Sequence, residues 1–507
     1  MRTQPFLRVT HSSCIAAGLL AAIVCSIAAA APPREPVQLP LQLSDCRFER
    51  ATGGSASARC GWLQVAENPD DPAGRTLRLH VVVIPALRLK AEADPLVILA
   101  GGPGQGASEF YSAVSAAFRG IRRDRDILLV DQRGTGQSNR LDCEFAEAAD
   151  FETAGFDAED RQQLQAQARS CLAALPADPR FYTTSVAVRD LEAVRVALGY
   201  ERLNFYAVSY GTRVAQHYLR RYPSQVRAAV LDGAVPVDLA LGPDAAPRAQ
   251  QALDALFDRC TADPACETAF PDLHRQFAAL RAGLQHQPIQ MQLPDPLDGH
   301  PTDATFGVGQ LSAAVRLLSY SDETASVLPL LIHEAQSSRQ PQALVAQYLM
   351  IKRNTDAQIA YAMHFAVVCS EDAPRWAQEK VPQSALDASY LGSAFVAGLK
   401  AVCDVWPRGL VDDGFNAPLH SDLPVLILSG GNDPVTPRQY GERVKQGFTN
   451  GRHLVLAGQG HGQLATGCMP RIVAQFIRSA AVADLDAKCL ENVAPAPFML
   501  SRTATAP

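Results

Sequence analysis

The 507-residue chain lacks several features that would point to particular partners. It has no long run of basic residues and a formal net charge of −6, so a nucleic acid is excluded as an expected partner. It contains no Cys-x-x-Cys pair and no His/Cys group with zinc-ligand spacing, and therefore no metal site is predicted. Internal repeats are absent as well. Hydrophobic residues make up 47% and charged residues 19%, a composition typical of a folded chain with a sizeable core.

The N-terminus has the pattern of an export signal. Two arginines precede an uncharged stretch from Cys14 to Ala30, and Ala28–Ala30 fits the small-residue rule for cleavage. An uncleaved membrane anchor is the alternative, because the stretch approaches spanning length, but its many alanines make it weakly hydrophobic. A lipoprotein at Cys25 is less favoured still. We predict a signal peptide over 1–30, a periplasmic or secreted protein, and no membrane contact after cleavage.

Twelve cysteines are present, and ten of them lie beyond the signal. An even number in an exported chain predicts disulfide bonds. Cysteines that are neighbours along the sequence suggest local pairs, although spacing alone does not determine connectivity. The expected pairs are Cys46–Cys60, Cys143–Cys171, Cys260–Cys266, Cys369–Cys403 and Cys468–Cys489.

Short apolar runs of strand length alternate with helical patterns along much of the chain. Val, Ile and Leu dominate these runs with little polar alternation, which is typical of parallel strands covered on both faces by helices. Strands that alternate with helices, such as Val186–Leu198, predict an α/β fold with a mostly parallel, doubly wound sheet. The predicted strands are Leu79–Ile84, Leu96–Leu99, Ile127–Val130, Phe205–Val208, Ala228–Leu231, Val425–Leu428 and His453–Leu456.

The alternation stops near Pro236 and resumes at Pro424. The long region between is mostly helix-patterned, and no strand series is evident in it. We predict a large helical cap inserted before the last strands, at the sheet edge where such folds bind ligands. An independent second domain is the alternative. The predicted helices of this region are Ala249–Phe257, Leu273–Leu284, Leu311–Leu318 and Ala343–Met350.

The expected domain boundaries follow from this interruption. The first part of the core occupies 31–237, the cap 238–420, and the second part of the core 421–492. Residues 493–507 are rich in Ala, Pro and Thr and are expected to form a flexible tail.

Three short motifs, each after an apolar run, carry candidate catalytic side chains. Ser209 lies in Ala-Val-Ser-Tyr-Gly between a strand and a helix, a turn that requires small residues two positions before and after the nucleophile. Asp433 lies in Gly-Gly-Asn-Asp-Pro, and His461 in Gly-Gln-Gly-His-Gly. A serine hydroxyl needs an adjacent base that is oriented by a third group. The chain order Ser, Asp, His is that of an α/β-hydrolase rather than of chymotrypsin or subtilisin.

Other histidines and aspartates fit these roles less well. His217 lies within the helix after Ser209, and His453 begins a strand. Asp131 and Asp232 also end strands, but they precede the insert. We therefore predict a serine hydrolase with the three motif residues as nucleophile, orienting acid and base.

An oxyanion intermediate requires two backbone N–H donors. One is predicted at Tyr210, directly after the nucleophile. The other is predicted in the Gly-Gly-Pro-Gly loop at 101–104, with Gly102 preferred to Gly101. The loop also matches a loose dinucleotide-binding fingerprint, but Pro103 removes an N–H that a phosphate loop would use. No cofactor is predicted.

With these motifs in place, the chain resembles the prolyl-aminopeptidase and tripeptidyl-aminopeptidase family of exported bacterial α/β-hydrolases. Two positions depart from the family pattern. Ala100 stands where a histidine often precedes GGPG, which leaves the subfamily open, and Ala207 replaces the first glycine of the turn around the nucleophile. The matching segments are GGPGQG at 101–106, DQRGTGQS at 131–138, AVSYGTR at 207–213, LDGAV at 231–235, GGNDPVTP at 430–437 and GQGHG at 458–462.

The resemblance implies a serine exopeptidase that removes residues from the free N-terminus of peptides through an acyl-enzyme. Family members hold the substrate's ammonium group with cap carboxylates, for which Glu371 and Asp372 are the candidates here. A solvated acidic turn is the alternative for these two residues.

A carboxylic-ester hydrolase of the same fold is the alternative function, since the same machinery cleaves esters. A binding protein on a hydrolase scaffold is disfavoured because all three triad residues are present. The number of residues released, the preference for proline and the oligomeric state stay open.

Overall fold

The computed structural model describes residues 41–143, 158–296 and 298–505. The expected signal peptide, 1–30, lies outside the described residues. The strands of the described part are β1 (Ser44–Glu49), β2 (Ser55–Ala66), β3 (Thr76–Ile84), β4 (Leu96–Leu99), β5 (Ile127–Val130), β6 (Leu203–Val208), β7 (Val226–Asp232), β8 (Ile289–Pro294), β9 (Pro301–Phe306), β10 (Val425–Gly430), β11 (Gly451–Leu456), β12 (Met499–Ser501) and β13 (Ala504–Thr505).

Helices lie between the strands along the chain. Within the described ranges they are α1 (Ala107–Val114), α2 (Arg119–Arg122), α3 (Ala158–Ala174), α4 (Thr184–Leu198), α5 (Tyr210–Arg221), α6 (Ala245–Ala262), α7 (Pro264–Ala269), α8 (Leu273–His286), α9 (Val308–Leu318), α10 (Asp322–Ala325), α11 (Leu328–Ser337), α12 (Gln342–Gln358), α13 (Tyr361–Glu371), α14 (Gln383–Ala388), α15 (Ala394–Cys403), α16 (Arg438–Lys445) and α17 (Met469–Ser479).

The main sheet has nine strands in the order β1-β2-β3-β5-β4-β6-β7-β10-β11. From β5 to β11 the neighbours are parallel, and the predicted strands are all present. β3 pairs antiparallel with β5, and β1 and β2 extend this antiparallel edge. The apolar pattern did not reveal β1 and β2, because exposed residues interrupt both strands.

Alternate residues of each central strand enter different hydrophobic clusters on the two faces of the sheet. In β3, Val81 and Val83 pack on one face with α3, α4 and α5, whereas Val82 and Ile84 pack on the other with α1 and α17. This division follows from the two-residue period of a strand. The sheet is therefore covered on both faces, as the continuous apolar runs predicted.

The insert between β7 and β10 is mainly helical but is not uniform. Helices α6–α12 form a separate hydrophobic cluster, whereas α13 and α15 pack with the cluster on the sheet. It also contains the antiparallel hairpin β8–β9, which the sequence analysis did not predict because these strands are short and largely exposed.

The prediction of a flexible tail is wrong for residues 493–505. This segment forms the small hairpin β12–β13, and Phe498 is buried in the cluster of the cap helices. The Arg259 guanidinium lies over the Phe498 ring, 4.0 Å from its centroid. One aromatic side chain thus ties an Ala- and Pro-rich segment to the cap.

All five predicted disulfide pairs are present: Cys46–Cys60, Cys143–Cys171, Cys260–Cys266, Cys369–Cys403 and Cys468–Cys489. Five disulfides are typical of proteins from oxidising compartments. Within the described ranges, no helix combines the length and the hydropathy needed to span a bilayer.

Candidate active site

Ser209 occupies a sharp turn between β6 and α5. Its backbone has φ 55° and ψ −126°, a left-handed conformation that strains a residue other than glycine. The Ser209 N–H donates to Asp232 O over 2.9 Å, which ties the turn to the end of β7. Glycine is required at 211, because an added Cβ there would lie 2.4 Å from Leu99 O. The structure thus has the strained strand-to-helix turn that the motif predicts.

Asp433 and His461, which follow β10 and β11, are in direct contact. His461 Nδ1 lies 2.8 Å from Asp433 Oδ2, so the ionised carboxylate selects the tautomer with the proton on Nδ1 and leaves Nε2 as an acceptor. Asp433 Oδ1 accepts the backbone N–H groups of Val435 and Thr436, each over 2.8 Å. The predicted acid and base are therefore brought together, with the imidazole in the form a general base needs.

The electrostatics of this pair favour the charged forms. Burial alone would raise the pKa of Asp433, but His461 and the backbone donors lower it below its ordinary value. Burial would lower the pKa of His461, and the carboxylates of Asp433 and Asp232 outweigh that effect and raise it. His461 is therefore a stronger base than a free imidazole.

Ser209 and His461 converge on the same two residues at the end of β7. Ser209 is hydrogen-bonded to Asp232, and an added Cβ on the next residue, Gly233, would lie 3.0 Å from His461 Cε1. The Ser209 hydroxyl makes no hydrogen bond to another described residue, so its contact with His461 Nε2 is not formed in this structure. Catalytic hydrogen bonds are often long until substrate binds. The role of each residue stays a prediction that this convergence supports.

The predicted oxyanion donors lie beside the nucleophile. Tyr210 is the first residue of α5, where a backbone N–H has no partner within the helix, and it has none elsewhere in the described chain. Gly101 packs against Ser209, because an added Cβ would lie 3.6 Å from Ser209 Oγ. Gly102 has φ +106° and leaves no room for a Cβ, which would lie 2.8 Å from Gly104 N. The preference for Gly102 over Gly101 remains a prediction.

Glu371 and Asp372, predicted to bind the substrate's ammonium group, are placed differently in the structure. Both side chains are fully buried, and Arg213 lies 3.7 Å from Glu371 and 2.9 Å from Asp372. Asp372 forms a two-point pair with Arg213 and also accepts the N–H of Leu241. These buried carboxylates already pair with arginine side chains, Asp372 with both Arg213 and Arg375, and are not free to hold a substrate ammonium group, so the structure does not support this assignment.

The role of Thr436 was not predicted from the sequence. Its hydroxyl donates to Asp433 Oδ2 over 2.7 Å and lies 3.0 Å from His461 Nδ1. It therefore contacts both members of the acid–base pair. The signal was present in GGNDPVTP, where a threonine three positions after an aspartate can close a local hydrogen-bonded turn.

Asp232, rejected as the triad acid, supports the loop that carries the base. Its carboxylate accepts the N–H groups of Gln463 and Leu464, at 2.8 and 2.9 Å, and the Tyr206 hydroxyl at 2.7 Å. Burial raises its pKa to about 6, although these donors and His461 lower it. Asp232 therefore holds the backbone just after His461 in place.

Within residues 41–143, 158–296 and 298–505, no group of three or more His, Cys, Asp or Glu side chains is arranged to hold a metal ion. The chemistry available at this site is that of a serine, an imidazole, a carboxylate and backbone donors. Such a set carries out acyl transfer.

Comparisons with known proteins agree with this geometry. The profile of the family described as alpha/beta hydrolase fold matches residues 94–467. The tripeptidyl aminopeptidase of Streptomyces lividans is 31% identical over 189 residues, which cover 35% of this chain and 35% of that protein. The serine protease Hip1 of Mycobacterium tuberculosis (strain ATCC 25618 / H37Rv) is 24% identical over 495 residues, covering 89% and 91%. Carboxylesterase B of Mycobacterium tuberculosis (strain CDC 1551 / Oshkosh) is 28% identical over 441 residues, covering 81% and 82%.

The chain spans about a third of the length of the first curated relatives that it matches, the aminopeptidase among them. These relatives confirm the resemblance to the aminopeptidase branch, and the profile confirms the predicted fold. A serine hydrolase is thus supported by both the geometry and the relatives. Because the profile match covers more than half of the sequence, the chain belongs to the alpha/beta hydrolase family.

Proposed function

We propose that the protein is an exported serine exopeptidase, an aminopeptidase of the tripeptidyl or prolyl type, that acts on peptides with a free N-terminus. The observation that carries the proposal is the Asp433–His461 pair, 2.8 Å apart, beside a serine in a strained turn. The alignments with an aminopeptidase and with a serine protease favour peptides as substrates.

The reaction follows from the orientation of the pair. His461 Nε2 accepts the proton of the Ser209 hydroxyl as its oxygen attacks the substrate carbonyl, and Asp433 stabilises the imidazolium that results. The N–H groups of Tyr210 and Gly102 bind the oxyanion. His461 then donates the proton to the leaving amine, and a water molecule, activated in the same way, releases the acyl group from Ser209.

The contacts of the cap favour cleavage near a chain end. On one side, Ala360 N–H donates to Gly104 O over 3.0 Å, and the Gln105 and Gln358 side chains are hydrogen-bonded. On the other side, His461 N–H donates to Tyr320 O over 2.6 Å. The insert therefore packs against both catalytic loops, and we expect it to restrict access of long chains to the site.

A carboxylic-ester hydrolase is the second candidate, favoured by the alignment with a carboxylesterase over 81% of this chain. The two functions are separated by comparing a peptide amide with a free amine, the same peptide with an acetylated N-terminus, and a p-nitrophenyl ester. We expect turnover of the free-amine peptide and loss of turnover on acetylation. Turnover of the ester alone would support the esterase instead. Product masses from a mixed peptide pool would give the number of residues released.

An organophosphorus probe tests whether the site is catalytic at all. We expect covalent labelling of Ser209 and none in Ser209→Ala. Absence of labelling in the unaltered protein would favour a binding protein on this fold and would contradict the proposal.

Export is supported by the five disulfides, since such bonds persist in oxidising compartments. The mass of the exported protein tests the predicted cleavage after Ala30. Retention of residues 1–30 in that protein would contradict a cleaved signal peptide.

A further inference from the structure

A continuous chain of buried hydrogen bonds joins Glu371, at the end of α13, to Tyr210. Thr184, the first residue of α4, lies between them. Its hydroxyl donates to Glu371 Oε2 over 3.0 Å and lies 2.7 Å from the Tyr210 hydroxyl, and its N–H donates to Glu371 Oε1 over 2.7 Å. Gln132 Nε2 donates to the Tyr210 hydroxyl over 3.1 Å. Thr184, Tyr210 and Glu371 are all buried.

The donors and acceptors of this chain fit one direction of proton donation. An ionised carboxylate only accepts hydrogen bonds, so the Thr184 hydroxyl must donate to Glu371. The Thr184 oxygen is then free to accept from the Tyr210 hydroxyl, whose own oxygen accepts from the Gln132 amide. Every polar atom along the chain has a partner in this arrangement, as buried polar groups require.

The chain ends beside the reacting atoms. Tyr210 directly follows Ser209, and its backbone N–H is one of the two predicted oxyanion donors. One turn further along α5, Arg213 is paired with Asp372, so the end of α13 holds the start of α5 at two points. We propose that Glu371 is a positioning residue of the oxyanion hole, which fixes Tyr210 through Thr184 and does so only as a carboxylate. This inference rests on the proposed hydrolase function.

Protonation of Glu371 would disrupt the chain. A proton on Oε2 would be donated to the Thr184 oxygen, which reverses the direction: the Tyr210 oxygen then faces two donors, Thr184 and Gln132, and the Tyr210 proton has no acceptor among these groups. A proton on Oε1 would face the Thr184 N–H. In both cases one buried group loses its partner, at a cost of about 1–3 kcal/mol.

The surroundings of Glu371 bring this change into the neutral pH range. Burial raises its pKa to about 7, with Asp372 adding to the rise and Arg213 opposing it. Arg213 and Tyr210 face it from α5, and the Arg375 side chain donates to its backbone carbonyl over 3.1 Å. Above that pH Glu371 is ionised and Tyr210 is held. Below it we expect the catalytic rate to fall.

Two variants and a matched control test the inference. Glu371→Gln places an amide where the carboxylate was and so mimics the protonated form. Tyr210→Phe removes the phenol oxygen and keeps the backbone N–H. The control is Tyr218→Phe, because the Tyr218 hydroxyl is also buried on α5 and donates to a carboxylate, Glu192 Oε2, over 2.7 Å, but it is remote from Ser209 along the helix.

For each variant, kcat and KM are measured between about pH 5 and about pH 9 on a peptide amide and on a p-nitrophenyl ester. The rate at which an organophosphorus probe labels Ser209 is measured in parallel, because labelling uses the oxyanion donors and requires no particular substrate. Thermal unfolding of each variant shows whether it is folded.

We expect kcat and the labelling rate to fall about tenfold in both test variants, with little change in KM. The loss should be smaller than the about 10²- to 10³-fold effect of removing a whole oxyanion donor, because the Tyr210 N–H is displaced rather than removed. The fall in kcat at acidic pH should be shallower in both, because only His461 then titrates, whereas in the unaltered protein and in Tyr218→Phe both His461 and Glu371 titrate. A folded Tyr210→Phe with unchanged kcat and pH profile would overturn the inference, as would a Glu371→Gln that raises KM for free-amine peptides only.

Failure of the peptide to react, with Ser209 still labelled, would contradict only the peptidase proposal. Absence of labelling in the unaltered protein would overturn both.

Discussion

Replacing Asp433 by asparagine is the sharpest test of the acid–base pair, because the structure dictates how the new amide must lie. Asp433 Oδ1 accepts two backbone N–H groups, from Val435 and Thr436, each over 2.8 Å. The amide oxygen of Asn must keep this position, since an NH₂ group there would face two donors. The NH₂ group is therefore directed at His461 Nδ1, which lies 2.8 Å from the other oxygen in the present protein.

An amide donor facing Nδ1 reverses the tautomer of the imidazole. The proton of His461 then lies on Nε2, which can no longer accept the proton of Ser209. Changes of this kind cost about 10⁴-fold in kcat, which is about 5.4 kcal/mol at 1.36 kcal/mol per tenfold. Loss of the Asp433 charge also removes a cause of the raised pKa of His461. Because His461 must be neutral to act, the acid limb of the residual activity should move to lower pH.

The assay is kcat against pH on the best substrate found, together with thermal unfolding. Asp94→Asn is the matched control, because Asp94 lies near the opposite end of β4 and accepts hydrogen bonds from Asn204 and pairs with Arg125. It should change stability and leave kcat unaltered. A folded Asp433→Asn that keeps more than a tenth of the wild-type kcat would refute the reasoning and direct attention to Asp232, the other carboxylate that raises the pKa of His461.

Three further predictions concern parts of the chain outside this pair. Thr436→Val should lower kcat about tenfold, because a hydrogen bond to a charged group contributes about 1.5 kcal/mol, whereas Thr436→Ser should keep most of the activity. Equal kcat values for the Val and Ser variants would contradict a role of the Thr436 hydroxyl in supporting Asp433 and His461. The Cys369–Cys403 disulfide closes a loop of 34 residues, and replacing both cysteines by alanine should lower the free energy of unfolding in urea by about 3.8 kcal/mol, because the unfolded chain gains loop entropy. The same change at Cys260–Cys266, which closes a loop of 6 residues, should lower it by about 2.2 kcal/mol. The reverse ranking would contradict the entropic explanation. Phe498→Ala should lower the free energy of unfolding by about 3 kcal/mol, and an unchanged Tm would mean that the tail does not stabilise the cap.

Much of the fold could be predicted because its signals are local. Runs such as Ile127–Val130 are short, apolar at every position and rich in Ile, Leu and Val, a pattern typical of a strand buried on both faces. The turn around Ser209 was predictable for the same reason, since its strained backbone demands small neighbours at fixed positions. The cysteine pairs were predictable because each pair joins neighbours along the sequence.

The predictions failed where partners are distant in sequence. Glu371 and Thr184 are separated by 187 positions, and Glu371 was expected to meet a substrate cation because the family resemblance implies cap carboxylates in that role. The packing of α13 against the sheet, which no local pattern announces, instead buries both acids against Arg213. Phe498 was missed likewise, because its partners belong to helices far back in the chain.

The sequence by itself determined the buried parallel strands of the sheet, which serine lies in a strained turn, and in what order the acid and base follow it. Each of these depends on residues a few positions apart, whose periodicity and size restrict the backbone directly. Only the tertiary structure decided that Thr436 contacts both Asp433 and His461, and that Glu371 faces Thr184 rather than solvent. Such choices depend on which surfaces pack together, and burial then turns a charged side chain from a ligand-binding group into an internal support.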